Sequence, residues 1–148
     1  MFEHQFTHRQ TVAIPYAELR EDPEGILLCL PRVAGRIKGS HGSQRITLRP
    51  IQITPLVHVQ ACGWVQLQIE EDCIRWVPKT CAQSNGCLSG TARPASDGNT
   101  EIEAEIHIRH PDLPSMPSFS RWMIERYLVV WAKRFIQEFT TNWCREHS

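Results

Sequence analysis

What this chain lacks already excludes several kinds of function. Its 16 lysines and arginines are matched by 16 aspartates and glutamates, so it carries no net charge. It therefore has no long-range field to draw it onto nucleic acid or an anionic membrane, and no nucleic-acid partner is expected. No apolar run approaches the roughly 20 residues of a membrane span, and the opening MFEHQFTHRQ lacks the basic-then-apolar pattern of a signal peptide. Both absences point to a soluble, cytoplasmic protein with no integral membrane segment. No repeat, low-complexity tract or linker interrupts the 148 residues, which suit one domain over 1–148. Also missing are a serine elbow, an HExxH pair, a phosphate loop and a carboxylate pair with an obvious partner, which turns expectation away from an enzyme.

None of the six cysteines, Cys29, Cys62, Cys73, Cys81, Cys87 and Cys144, lies in a CxxC pair. Buried thiols are expected here rather than disulfides. The C-x7-C-x5-C run from Cys73 to Cys87 is spaced more widely than structural zinc sites favour. His107 and His110, three apart on a strand, point to opposite faces and make a poor metal pair. No cofactor is implied.

What is present, from Arg36 to His110, is an apolar period of two. In LVHVQACGWVQLQIE, Val57, Val59, Ala61, Gly63, Val65, Leu67 and Ile69 share one face. His58, Gln60, Cys62, Trp64, Gln66 and Gln68 share the other, which predicts one long strand with a wet side. TEIEAEIHIRH places Ile102, Ala104, Ile106 and Ile108 inward and charges outward, an antiparallel signature because parallel strands are buried on both faces. Gly39 to Gly42, Glu71-Asp72, Asn85-Gly86 and Asp97-Gly98 punctuate the run as turns. A two-residue turn at Glu71-Asp72 sets Ile69 opposite Ile74 and Leu67 opposite Trp76. An odd-length loop such as Asp97-Gly98-Asn99 brings Leu88, Gly90 and Ala92 onto one face with Ile102, Ala104 and Ile106. Ahead of the run, a strand over residues 6–14 ends at Pro15, which cannot donate to a ladder. Two short helices follow, with Asp22 capping the second and Pro23 at its first position.

The chain closes on a helix from Ser118 to about Arg145, free of proline and glycine and about 40 Å long at 1.5 Å per residue. A bulky residue recurs at every fourth position: Phe119, Met123, Tyr127, Trp131, Phe135, Phe139 and Trp143. A four-residue step overshoots a full turn by about 40°, so this stripe winds around the helix. Centred on Trp131, the inward arc holds Ile124, Tyr127, Leu128, Trp131, Ala132, Phe135 and Phe139. The sheet face opposite is small at its middle: Ala61, Gly63, Gly90, Ala92 and Ala104. Either the aromatic rings fill that hollow or a ligand does, because empty volume in an interior costs packing energy.

The order of strand, two short helices, six-stranded meander and long terminal helix resembles the START-like superfamily, the helix-grip proteins that include birch-pollen-allergen, polyketide-cyclase and coenzyme-Q-binding relatives. The local matches are VAIP at Val12 to Pro15 and DPEGILLCLPRV at Asp22 to Val33. The resemblance implies an α+β fold in which a seven-stranded curved antiparallel sheet wraps the C-terminal helix. It also implies a cavity between them that in many members holds a lipid, isoprenoid, sterol or polyketide. The first helix, confined between Pro15 and Asp22, is shorter than the family usually shows, and no family-wide catalytic motif carries over.

The ligand-binding residues expected on these grounds are Val59, Ala61, Leu67, Trp76, Gly90, Ala104, Ile106, Tyr127, Leu128, Trp131 and Phe135. The expected ligand is a small hydrophobic molecule, and the Tyr127 hydroxyl is placed to orient it. The plainer account of the same positions is a filled core, with a homodimer or protein partner met through Trp64 or Trp122. A polyketide-cyclase-like enzyme is the third reading, with Tyr127 as its one candidate for proton transfer. Arg49 is able to grip a carboxylate or phosphate with two hydrogen bonds, although a solvated sheet surface explains Arg36, Lys38, Arg45 and Arg49 as well. Arg9 facing Glu103 is an ordinary surface pair.

Overall fold

A computed structural model describes residues 2–54, 57–81, 84–110 and 118–148. The first strand, β1 (Phe2–Val12), leads into α1 (Tyr16–Glu21) and α2 (Pro23–Leu28). The Asp22 carboxylate accepts a hydrogen bond from the Gly25 amide at 3.0 Å, with Pro23 opening α2. This is the cap that the sequence predicts, and it satisfies one of the orphan donors of the first turn.

The strand run then comprises β2 (Val33–Lys38), β3 (Gln44–Leu48), β4 (Ile51–Thr54), β5 (Val57–Val59), β6 (Cys62–Val65) and β7 (Leu67–Ile69). It continues through β8 (Ile74–Trp76), β9 (Lys79–Thr80), β10 (Gly86–Pro94) and β11 (Thr100–His110), and α3 (Ser118–Glu146) closes the chain. The ladders follow the orders β1-β11-β10-β8-β7, β2-β3-β6-β9 and β4-β5, each pairing antiparallel. The seven-stranded expectation is therefore corrected to eleven strands among the described residues.

Two of the four extra strands come from breaks in the segment read as one long strand. At Gln60 the backbone amide donates to Asn85 Oδ1 at 2.7 Å and the carbonyl accepts from Ser84 Oγ at 2.9 Å. Side chains thus take the bonds that a neighbouring strand would otherwise supply. The alternation survives the break: Val59, Ala61, Gly63 and Val65 are buried, while His58, Trp64, Gln66 and Gln68 are exposed. Two residues depart from it: Cys62 is buried on the nominally wet side, and Ile69, expected inward, is 45% exposed.

Both hairpin registers hold. Leu67 pairs with Trp76 and Ile69 with Ile74 around Glu71-Asp72. Leu88, Gly90 and Ala92 pair with Ile106, Ala104 and Ile102, and the connection bends through Asp97, Gly98 and Asn99 with Gly98 at φ 84°. The first strand is corrected from 6–14 to Phe2–Val12. Its pairing with β11 extends from Phe2 opposite His110 to Val12 opposite Thr100. Its inner face carries His4, His8 and Gln10 among apolar residues, so alternation was not visible there.

The helix α3 runs 29 residues, about 43 Å at 1.5 Å each. It buries Ile124, Leu128, Trp131, Ala132, Phe135, Ile136, Phe139 and Trp143. The arc is thus centred near Leu128 and Phe139, and Trp131 sits at its edge. Tyr127 falls about 40° beyond that edge and is 43% exposed, which corrects its inward placement. The winding stripe behaves as its period dictates, with Met123 and Tyr127 in solvent and Phe135, Phe139 and Trp143 in the core.

Candidate functional site

The row across the inner face is built by register. His8 pairs with Ala104, Ala104 with Gly90, Gly90 with Trp76, and Trp76 with Leu67. The small residues at the middle of the sheet therefore stand beside the largest side chain in the row. A Cβ on Gly90 would collide with the Trp76 ring; the indole lies against the glycine and occupies the space a side chain would take. Part of the expected hollow is filled from within the sheet rather than by the helix.

Among the described residues, cavities of about 40 Å³ lie between sheet and helix on either side of Trp76. The first is lined only by apolar residues, among them Leu67, Trp76, Ala104 and Phe135 of the expected set. The second takes in Ala61, Trp76 and Phe135, with Pro78, Cys87 and Leu88. Leu30, Trp76, Leu88 and Phe135 belong to both and form the partition between them. Each space exceeds the 10–15 Å³ or so that one water requires and falls well short of the roughly 300–1,000 Å³ of a small-molecule pocket.

The structure distributes the expected residues as follows. Ala61, Leu67, Trp76, Ala104 and Phe135 line the cavities. Val59, Ile106 and Leu128 are buried in the core and border neither cavity, and Gly90 is roofed by Trp76. Trp131, stacked on Phe135 at 5.0 Å between ring centres, turns its other side to an outer cleft with Arg32, Arg49, Pro50 and Glu138. Tyr127 borders neither of these cavities and is 43% exposed, so its hydroxyl is not placed to orient a ligand there. Sequence reasoning missed Leu30 and Leu88 as partition residues and Leu19, Ile26 and Ile136 as lining. The apolar spacing of Leu19, Ile26, Leu27 and Leu30 was the available signal for the short helices.

Two electrostatic features border this region. In the outer cleft the Arg32 fork donates from Nε and Nη2 to the two Glu138 oxygens at 2.9 and 3.1 Å. That hydrogen bonding holds the Glu138 carboxyl below its ordinary range, and it ties the segment before β2, with Arg32 at φ 57°, onto α3. Arg49 lies exposed beside them. Within the second cavity, burial pushes the Cys87 thiol up, so it stays a neutral, apolar lining group.

On the outside, Trp64 is 39% and Trp122 52% exposed, the latter with the Arg126 guanidinium 4.9 Å above its ring. The ordinary surface pair Arg9 with Glu103 forms across β1 and β11. His107 lies outward, 2.8 Å from Glu3. No described helix is long and apolar enough to cross a membrane.

No family model matches the chain and no curated protein matches it by sequence. Solved structures do match. The Zhui aromatase/cyclase from Streptomyces sp. R1128 aligns at 16% identity over 99% of this chain and 96% of its own, with a TM-score of 0.61. TTHA0849 from Thermus thermophilus aligns at 13% identity over 98% and 100%, TM-score 0.58. A START superfamily protein from Mycobacterium smegmatis aligns at 13% identity over 90% and 98%, TM-score 0.51. The chain has the START-like, birch-pollen-allergen-like helix-grip fold, as its element order led one to expect.

Proposed function

We propose that the protein binds a small hydrophobic molecule between the sheet and α3, in the space now divided by Trp76. The observation that carries this reading is the wholly apolar lining of the first cavity. A site with no polar side chain selects its ligand by shape and desolvation rather than by hydrogen bonds. At about 40 Å³ the cavity is too small for a lipid or isoprenoid as it stands. Binding therefore requires the Trp76 indole to leave Gly90 and join the two cavities into one. The ring belongs to a three-residue strand, β8, near the edge of its ladder, where displacement disturbs few neighbours.

The second reading, a non-catalytic interaction or assembly factor with a filled core, is favoured by the same small volumes. Polyketide-cyclase-like chemistry has no acid or base on the wall of the first cavity among the described residues, and that weighs against it.

Native mass spectrometry of protein purified from its own host distinguishes the two leading readings. A co-purifying apolar molecule supports binding, whereas a bare chain or a stable dimer supports the filled core. Trp76→Ala sharpens the comparison. Under the binding reading it loses stability yet takes up an apolar fluorophore more tightly than the parent; under the filled-core reading it loses about 3–5 kcal/mol and gains no affinity.

A further inference from the structure

The β2-β3-β6-β9 ladder holds a pair of thiols, Cys62 and Cys81, whose chemistry the binding reading does not use, although Cys62 also borders the second cavity. Gly63 pairs with Thr80 and Trp64 with Lys79, so one further step of the same register sets Cys62 directly opposite Cys81. The Cys81 amide donates to the Cys62 carbonyl at 3.2 Å. Hydrogen-bonded residues facing each other in an antiparallel pair have Cα atoms about 5.5 Å apart, inside the range that a disulfide bridges without backbone movement. The two sulfurs already lie 2.6 Å from each other, against about 2.05 Å for a disulfide bond.

The surroundings favour a thiolate. Thr47, paired with Cys62 across β3 and β6, donates its hydroxyl to the Cys62 sulfur at 3.3 Å. Arg45 lies on the same face, two pairs further along β3, and its positive charge beside the two sulfurs favours their ionised form; its Nε is buried with no hydrogen-bond partner. Burial opposes ionisation of Cys62, but the hydrogen bonds with Cys81 and Thr47 and the charge of nearby Arg45 outweigh it and leave that thiol below its ordinary value. Burial and the neighbouring Cys62 sulfur push Cys81 up.

We propose that Cys62 and Cys81 are a redox-active dithiol whose oxidant is a low-molecular-weight disulfide such as glutathione disulfide. The Cys62 thiolate attacks one sulfur of the oxidant, whose S–S bond breaks; one thiolate leaves and takes a proton from solvent. A mixed disulfide remains on Cys62. The Cys81 thiol then gives its proton to solvent and its sulfur attacks Cys62, expelling the second small thiolate. Two protein thiols lose two electrons and two protons to form one bond, and the oxidant becomes two thiols. Access comes from the edge: β9 is two residues long, exposed, and last in its ladder, so its opening uncovers Cys62 at little cost. Once formed, the bond fastens β9 to β6 and closes a loop that contains Trp76, the ring that partitions the cavities.

The test is equilibration of the full chain in glutathione buffers of graded ratio, followed by acid quench, alkylation and peptide mass spectrometry. A monomeric chain with a Cys62–Cys81 linked peptide, its other four cysteines alkylated, is the expected result, with a higher thermal midpoint that dithiothreitol reverses. Cys81→Ser should trap glutathione on Cys62, and Arg45→Met should slow oxidation several-fold. The proposal is overturned if Cys62 and Cys81 both remain alkylated at a ratio where the exposed Cys144 already carries glutathione. A bond between two copies, or one that joins either residue to Cys73 or Cys87, overturns it equally. The linked peptide is read on chain with no ligand added, so its failure is distinguishable from a failure of the binding reading even though Cys62 borders the second cavity.

Discussion

At the scale of single residues, the contact between Gly90 and Trp76 is the most consequential in the interior. A methyl group on Gly90 would overlap the indole, which cannot remain where it is. Gly90→Ala should therefore displace Trp76, cost about 1–3 kcal/mol, and shift the tryptophan emission spectrum relative to the parent. An unchanged spectrum and midpoint would show that the ring does not rest there.

A second residue-scale consequence concerns the C-terminus. His147 Nε2 lies 2.8 Å from Asp22 Oδ2, and the imidazole stacks on buried Trp143 at 3.7 Å between ring centres. The hydrogen bond to Asp22 and the one to the Trp143 carbonyl raise His147, and the His147 bond lowers Asp22. The histidine contribution is complete below its unfolded pKa of about 6.5 and disappears as pH rises through the raised folded value. The aspartate contribution is complete above about 3.9 and disappears as pH falls through the depressed one. The pair should thus add stability between about pH 4 and 6.5, and His147→Gln should flatten the thermal midpoint across that window. Both groups are partly exposed, so the effect is small and screened by salt. Glu138, held low by Arg32, adds its own acid-side loss, which the His147→Gln variant retains.

At the scale of elements, α3 shows how far a helical period carries. That the helix exists, where it ends, and that its bulky stripe winds all follow from spacing and from the absence of proline and glycine. The direction in which it faces does not, because an arc can be centred on any heavy residue. Centring on Trp131 places Tyr127 inside; the real arc, rotated toward Leu128 and Phe139, leaves Tyr127 out. Leu128→Ala should accordingly cost about 2–5 kcal/mol in denaturant unfolding, while Tyr127→Ala stays within about 0.5 kcal/mol. Equal losses at the two positions would mean that the helix docks with a different rotation. The same limit applies to β1, whose inward His8 and Gln10, hydrogen-bonded to each other at 3.2 Å, disguise a strand that β11 pairs along its entire length.

At the scale of the molecule, the candidate site is a relation between layers. Its lining comes from α1, α2, β7, β8, β10, β11 and α3 together. The expectation of a hollow came from small residues at the centre of the sheet: of these, Ala92 and Ala104 line the first cavity and Ala61 and Gly63 the second, while Gly90 is covered by Trp76. The contents of the hollow were not legible, because Trp76 reaches Gly90 only through the pairing of β8 with β10, and that contact divides the space available to a ligand. If the binding reading holds, titration with an apolar fluorophore should saturate at one site per chain and raise the thermal midpoint as ligand is added; binding without saturation would point to exposed surface instead.

Local patterns within the chain were enough to determine the order of its elements, the antiparallel pairing of its hairpins, the Asp22 cap and the length of the final helix. Each of these depends on residues close in sequence or on a strict period. The rotation of α3, the breaks at Gln60 and Gln66, the partition by Trp76 and the meeting of Cys62 with Cys81 were decided only by the tertiary structure. Each joins residues far apart in the chain, whose distance is set by how layers pack rather than by any neighbour along the backbone.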